Sequence, residues 1–192
     1  MQRFLNVGCG RNILNGWVNL DVVQLSGVDI VADLDKCTTM PLPFPDDYFD
    51  EFLLSHLIEH IRHPLPLMQE LWRIARSGAK LICRVPHGAT DDAYEDPTHV
   101  RPYFGNSFGY FSQPFYWRAD YGYRGDWQVE RLIYVIQRQG NEGIIPAAIL
   151  EKINSQRNIV REMVAELVCV KPIRRAKKEL QIPHNIVIQL VD

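Results

Sequence analysis

The sequence predicts an α/β fold organised on an open sheet. Three observations lead there. A short apolar strand runs directly into a glycine turn, Phe4-Leu5-Asn6-Val7-Gly8-Cys9-Gly10. Two further short apolar runs finish on or beside an aspartate, Asp21 and Asp33. A stretch with helical spacing at residues 64–76 passes at once into another apolar run at 79–86. Strands interleaved with helices favour an α/β sheet, and such a sheet takes its ligand at the carboxyl ends of its strands.

Taken in order, the first strand ends where Gly8 and Gly10 allow positive φ and close approach of a ligand to the backbone. The third glycine of the dinucleotide fingerprint is replaced by Ile13, and no P-loop pattern occurs. A pyrophosphate cradle is therefore not expected, while an adenosyl ligand without phosphates stays open. Residues 11–16 are too few for a normal crossover helix, since parallel strands usually need about a dozen connecting residues. The second strand, 17–22, carries Asp21 at its carboxyl end, where a carboxylate can accept from a ribose diol. The third, 28–34, carries Asp33, placed to accept from an exocyclic amine. Either aspartate could equally be a turn residue. Pro41, Pro43 and Pro45 make residues 40–47 a rigid loop.

Residues 48–55 form the fourth strand. In 64–76 Leu67, Leu71 and Ile74 share one helical face, and Ser77-Gly78 is expected to close that helix. Later elements are a strand at 128–136, a helix at 147–153, a strand at 163–170 and strand character at 185–191. That last stretch is expected to pair with another edge or with a partner chain.

Length and composition fit one ordinary globular domain: 192 residues, 46% hydrophobic and 23% charged. A net charge of −2 gives no field favouring nucleic acid or an anionic membrane. No run approaches a transmembrane span, and no signal segment precedes the first strand. Cys9, Cys37, Cys83 and Cys169 lack any C-x-x-C spacing, which suits reduced thiols in a cytoplasm.

The runs LNVGCG, GWVNLD, VADL and PLPFPDDYFDEFLLSHLIEHI together resemble a class I S-adenosylmethionine-dependent methyltransferase. They are most similar to a bacterial branch of the type 11 kind with a very short first connection. The likeness covers residues 4–111. It implies a Rossmann-like, three-layer αβα arrangement with a mostly parallel seven-stranded sheet whose last strand is antiparallel. It also implies S-adenosylmethionine as cofactor and a single domain over 1–192. Within that domain, 1–86 is the cofactor half, 87–127 the acceptor-side loops, and 128–192 the remaining strands and helix.

Carried over, Gly8, Cys9 and Gly10 line the methionine part and ribose. Asp21, with Val22 beside it, takes the ribose hydroxyls. Asp33 and Leu34 sit at the adenine, and Ser55 and His56 lie by the methionine portion. Asn6 stands where an acid is frequent, and its amide oxygen can orient an ammonium or a water. The implied reaction is methyl transfer, expected at an oxygen of a small-molecule or sugar acceptor. Alignment with an activated sulfonium methyl supplies most of the acceleration, and a base helps a hydroxyl acceptor. His87, Asp96 and His99 follow the fifth strand, in P-H-G…D-P-T-H-V-R. His99 is expected as base or substrate contact; the alternative is that Asp96 and His99 brace their loop.

Two metal readings compete and neither is preferred, so no metal ligands are expected. His56-x-x-Glu59-His60 matches an inverted zinc-protease motif, with both histidines on one face if helical, although its context after the fourth strand favours Glu59 and His60 as residues that cap and pack the following helix. His87, Asp96 and His99 could hold a divalent ion only at loose spacing. A non-catalytic cofactor-binding module, motivated by Asn6 and the short first connection, is the other alternative. The aromatic stretch 104–127 either walls an acceptor pocket or fills a homodimer contact or local core. The basic run 171–178 reads as a solvated segment rather than an RNA contact.

Overall fold

A computed structural model describes residues 2–192 of the chain. Eight strands form one sheet: β1 Phe4–Val7, β2 Val18–Asp21, β3 Ile30–Val31, β4 Phe49–Ser55, β5 Ala75–Val85, β6 Trp127–Gln137, β7 Val160–Cys169 and β8 Asn185–Val191. Their order across the sheet is β3-β2-β1-β4-β5-β7-β6-β8. Only β7 runs antiparallel to its neighbours, β5 and β6. The seventh strand is thus the antiparallel one, as the resemblance implies. An eighth is added in parallel on the outer edge of β6, so the C-terminal stretch closes this chain's own sheet. The order reverses between β1 and β4, and that switch point sets the ligand edge.

The core follows from alternation along the strands. Leu5, Phe52, Leu81, Leu167 and Val129 lie side by side across five strands, and all are buried. Helix α1, Pro64–Ile74, buries Leu67, Met68, Leu71 and Ile74. The Trp127 indole donates to the Met68 carbonyl at 2.9 Å, tying β6 to this helix. The opposite face holds Glu51, Leu53, Ile82, Arg84, Val164 and Arg131, none of them fully buried, and is crossed by the pairs Arg84–Glu162 and Arg131–Glu166. Short helices α2, Asp92–Glu95, and α3, Pro146–Ser155, complete the fold. Among the described residues no helix is long and apolar enough to cross a membrane.

Several boundaries differ from expectation, each for a local reason. Helix α1 stops at Ile74, and Ser77-Gly78 lies inside β5. The helix's last carbonyls are taken instead by the proline loop: Asp47 N–H donates to Arg73 O and Tyr48 N–H to Ile74 O. Gly78, at φ +80°, falls where the β4–β5 register shifts. The third strand shrinks to Ile30–Val31 because Asp33 caps a 3-10 turn, Leu34–Lys36.

The missing first helix is replaced by two buried amides. Asn19 Oδ1 accepts from Leu14 N–H (2.9 Å) and from Asn6 Nδ2 (3.0 Å), and Asn6 Nδ2 also donates to Asn12 O (2.8 Å). Asn19 Nδ2 donates to the Leu14 and Trp17 carbonyls. Loop backbone that would otherwise be unpaired over the sheet is thereby satisfied.

Beyond β5, the aromatic stretch forms 3-10 segments at Gly105–Phe111 and Gln113–Trp117. Phe108, Phe111, Tyr116 and Tyr123 are buried in the main core. The basic run is not wholly solvated. Arg174 reaches Asp126, which is fully buried, at 2.7 Å through both Nε and Nη2, and its backbone N–H adds a third bond.

Candidate functional site

The glycine turn after β1 is built against two neighbouring strand ends. Gly8 and Gly10 have φ of +66° and +51°. Gly10 N–H donates to Asp21 Oδ2 at 2.7 Å, and Val23 N–H to Asp21 Oδ1 at 3.0 Å. The carboxylate staples the ends of β1 and β2 together and keeps further lone pairs for hydroxyl donors. Cys9 is buried, and its thiol pKa is raised by burial and by Asp21. A Cβ on Gly8 would collide with the Leu57 side chain, so the turn after β1 packs directly on the turn after β4.

The other residues of this edge separate into those that face outward and those that do not. Asp33 Oδ1 caps Asp35 N–H at 3.1 Å and Oδ2 pairs with Lys36 at 3.0 Å; the Lys36 hydrogen bond lowers its pKa. Leu34 is a core side chain, so only its backbone is free for an adenine. Val22 is exposed and Ser55 half-buried at the end of β4. Asn6 is 2% exposed and its Nδ2 is committed to the loop, which makes it first a structural amide.

His56, at φ +50°, turns its ring to β7, with Nε2 3.0 Å from Glu162 Oε1 and Nδ1 3.5 Å from Glu59 Oε1. The hydrogen bond to Glu162, and then the nearby Glu59 carboxylate, raise its pKa to about 9. Burial acts to raise Glu162, but bonds from His56 and Arg84 outweigh it and hold that carboxyl at about 2.

This arrangement excludes the inverted zinc-protease geometry. Residues 58–60 form a 3-10 turn and the His56 ring is held by Glu162, so His56 and His60 share no helical face. His87, Asp96 and His99 do not assemble either. His87 is 6% exposed, its pKa lowered by burial, and its ring packs edge-on against Phe104 and Tyr134. Asp96 is occupied by its own turn: Oδ1 accepts from Thr98 N–H at 2.8 Å and Thr98 Oγ1 at 2.6 Å.

His99 goes to the residues after β4. Its ring meets that of His60 at 4.7 Å between centroids, tilted by 69°. Thr98 Oγ1 lies 2.9 Å from His60 Nδ1, Val100 N–H donates to Glu59 O at 2.8 Å, and Arg101 Nη2 donates to Arg62 O at 2.8 Å. The D-P-T-H-V-R strap is therefore laced onto the I-E-H-I turn. Glu59 is 2% exposed, and neither of its carboxylate oxygens has a hydrogen-bond partner; nor does His99 Nδ1. Sequence reasoning singled out His99 but read Glu59 and His60 as capping or packing. The motif E-H was the available signal, and its pairing with the strap, some forty residues on, was not readable. A cavity of ≈ 410 Å³ opens beside the strap, walled by Arg101, Tyr103, Phe104, Tyr110 and Tyr121.

Residues 5–83 match the family model described as a methyltransferase domain, which is under half of the 192 residues and lies within the cofactor half. No curated protein is matched by the chain. Among solved structures it is similar to an S-adenosylmethionine-dependent methyltransferase from Archaeoglobus fulgidus (16% identity, 87% of this chain and 86% of that one, TM-score 0.55). It is also similar to one from Thermotoga maritima described as a possible histamine N-methyltransferase (13%, 89% and 83%, 0.55). A third is a Haloferax volcanii complex of the Trm112 activator with a methyltransferase (14%, 88% and 83%, 0.53). The sheet order and these likenesses give the fold, and residues 5–83 are similar to a methyltransferase domain. Together they support the class I S-adenosylmethionine-dependent methyltransferases, enzymes that use S-adenosylmethionine as methyl donor.

Proposed function

We propose that the chain transfers the methyl of S-adenosylmethionine to an oxygen of a small-molecule or sugar acceptor. The supporting observation is one of placement. Leu57 packs on the glycine turn at Gly8, and two residues later Glu59 opens the group that gathers His60 and His99. The donor's edge and the unpaired polar groups thus share one rim of the sheet. The acceptor's oxygen lone pair attacks the methyl carbon and the carbon–sulfur bond breaks onto sulfur. The acceptor's proton is lost at the His60–His99 side, so His99 serves the acceptor as the sequence reading holds, with Asp96 and Thr98 fixing the strap.

On this reading Gly8, Gly10, Asp21 and Asp33 hold the ligand's ribose and adenine, with Ser55 beside the methionine part. Residues 1–192 act as one domain with the halves given above, although Met1 lies outside the described residues. The four cysteines are free, which supports a reducing, cytoplasmic setting.

Calorimetric titration with S-adenosylhomocysteine tests the cofactor site, repeated on Asp21→Ala. The expected outcome is micromolar binding, on the order of −8 kcal/mol, weakened at least about tenfold in the variant. Labelled methyl transfer to sugar, hydroxyl and amine acceptors then tests the chemistry. Transfer to amines alone would move the assignment to nitrogen. Cofactor binding with no transfer to any class would leave a binding module, and no binding would end the reading.

A further inference from the structure

We propose that Glu59, His60 and His99 form a mononuclear site for a divalent transition-metal ion, of the Zn²⁺ class. Each residue offers one donor atom, and these atoms lie within 4.8 Å of one another. Two imidazoles and one carboxylate suit Zn²⁺ and its first-row neighbours, and three protein ligands leave a coordination position open.

The independent observation is the lack of partners. A carboxylate 2% exposed, with neither oxygen hydrogen-bonded, is costly unless something compensates its charge. His56 Nδ1 lies 3.5 Å from Glu59 Oε1, an ion-pair distance that offsets part of the charge but leaves both oxygens without a hydrogen bond. The remaining compensation is available from a cation held with His60 and His99, whose Nδ1 is likewise buried and unpaired.

The surroundings set the tautomers that ligation needs. The Thr98 hydroxyl donates to Asp96 Oδ1 at 2.6 Å, so its oxygen accepts from His60 Nδ1–H at 2.9 Å. That leaves His60 Nε2 with its lone pair. His99 Nε2 lies 4.0 Å from Asp96 Oδ2, beyond hydrogen-bond distance, and its buried Nδ1 is without a partner. Histidine ligands that hand their second nitrogen to an oxygen are the usual support of a metal site. Here Asp96 supports the His60 ring through Thr98. With the ion bound, His99 would serve the acceptor as a metal ligand rather than as a base, and the ion would polarise an acceptor hydroxyl at the open position and ease loss of its proton to solvent. This role rests on the methyl-transfer reading, whereas the site itself does not.

The test uses the full chain, stripped by chelator and titrated with Zn²⁺ alone by calorimetry and with Co²⁺ alone by visible absorption. One ion per chain is expected, with Co²⁺ bands of low-symmetry, histidine-containing coordination. Glu59→Gln keeps the volume and removes the charge; binding should weaken at least ~100-fold. Thr98→Val keeps all three ligands and removes the brace; a loss of ~10- to 100-fold is expected. No stoichiometric binding, or binding unchanged in both variants, overturns the site. S-adenosylhomocysteine titration of the same metal-free protein is read separately. Nucleoside binding without metal binding sinks only the metal site. Metal binding without nucleoside binding sinks only the methyl-transfer reading.

Discussion

The glycine turn and the histidine rim stand at the ends of adjacent strands, β1 and β4, yet they handle polar groups in opposite ways. At the turn, Asn6, Asn19 and Asp21 are bonded to backbone or to each other. The polar groups of this turn are already satisfied, so on the proposed reading a nucleoside would add bonds there without repairing any. At the rim, two carboxylate oxygens and one imidazole nitrogen are buried without a hydrogen-bond partner. Such groups cost about 1–3 kcal/mol each when left unpaired, more if charged. A preorganised edge keeps its shape empty; an edge with orphaned groups is completed by what it binds.

The largest effect that would sharpen this contrast lies at the most fully satisfied carboxylate in the molecule. Asp126 is completely buried and takes bonds from Arg174 Nε, Nη2 and backbone N–H, from Gln113 N–H and from the Ser112 hydroxyl. Asp126→Ala strands the Arg174 guanidinium and should cost about 3–5 kcal/mol in urea unfolding. Glu59→Gln in metal-free protein removes a carboxylate that has no hydrogen bonds to lose. Its cost should stay within about 1 kcal/mol. Equal losses in the two variants would erase the distinction between a satisfied and an orphaned carboxylate.

A middle-sized effect belongs to the first connection. Asn19→Ala removes two carbonyl partners, one N–H partner and the Asn6 contact, and should cost about 2 kcal/mol. Because the same loop leads out of Gly10, S-adenosylhomocysteine affinity should fall with it, while Zn²⁺ affinity stays within about twofold. A variant that lost both together would show that the two edges are one cooperative unit.

These predictions also mark what was legible in the chain. Strand periods, the proline loop and the glycine turn are local signals, so the sheet and its ligand edge could be read from residues a few positions apart. The first connection was rightly seen as too short for a helix, but the Asn6–Asn19 bond that replaces it depends on strand register. The end of α1 was misplaced because its last carbonyls are met by residues 47 and 48, not by the following glycine. Arg174 looked like one charge in a solvated basic run, since nothing in residues 171–178 reveals a buried carboxylate at Asp126. The rim was half legible. Both of its motifs stood out, but each was weighed with the wrong companions: His60 with His56, and His99 with His87. The hydrogen bonds that join strap to turn are long-range, and only the folded chain supplies them.

The smallest effect probes the boundary between the two edges, where His56 stands. Its folded pKa of about 9 lies above the ordinary 6.5, so its stabilising contribution is complete below about pH 6.5 and is lost as pH rises through 9. Glu162, held at about 2 against an ordinary 4.5, contributes above pH 4.5 and loses that contribution as pH falls through 2. The pair is therefore at full strength between those limits, and with His56 half-exposed its weight in stability is small. Glu162→Gln, followed by NMR titration of the imidazole, should bring His56 back toward 6.5. The outcome discriminates because two carboxylates face that ring. If His56 still titrates near 9 without Glu162, then Glu59 carries the charge that holds it. Glu59 would then be a paired residue, the rim would be as satisfied as the glycine turn, and the need for a cation there would disappear.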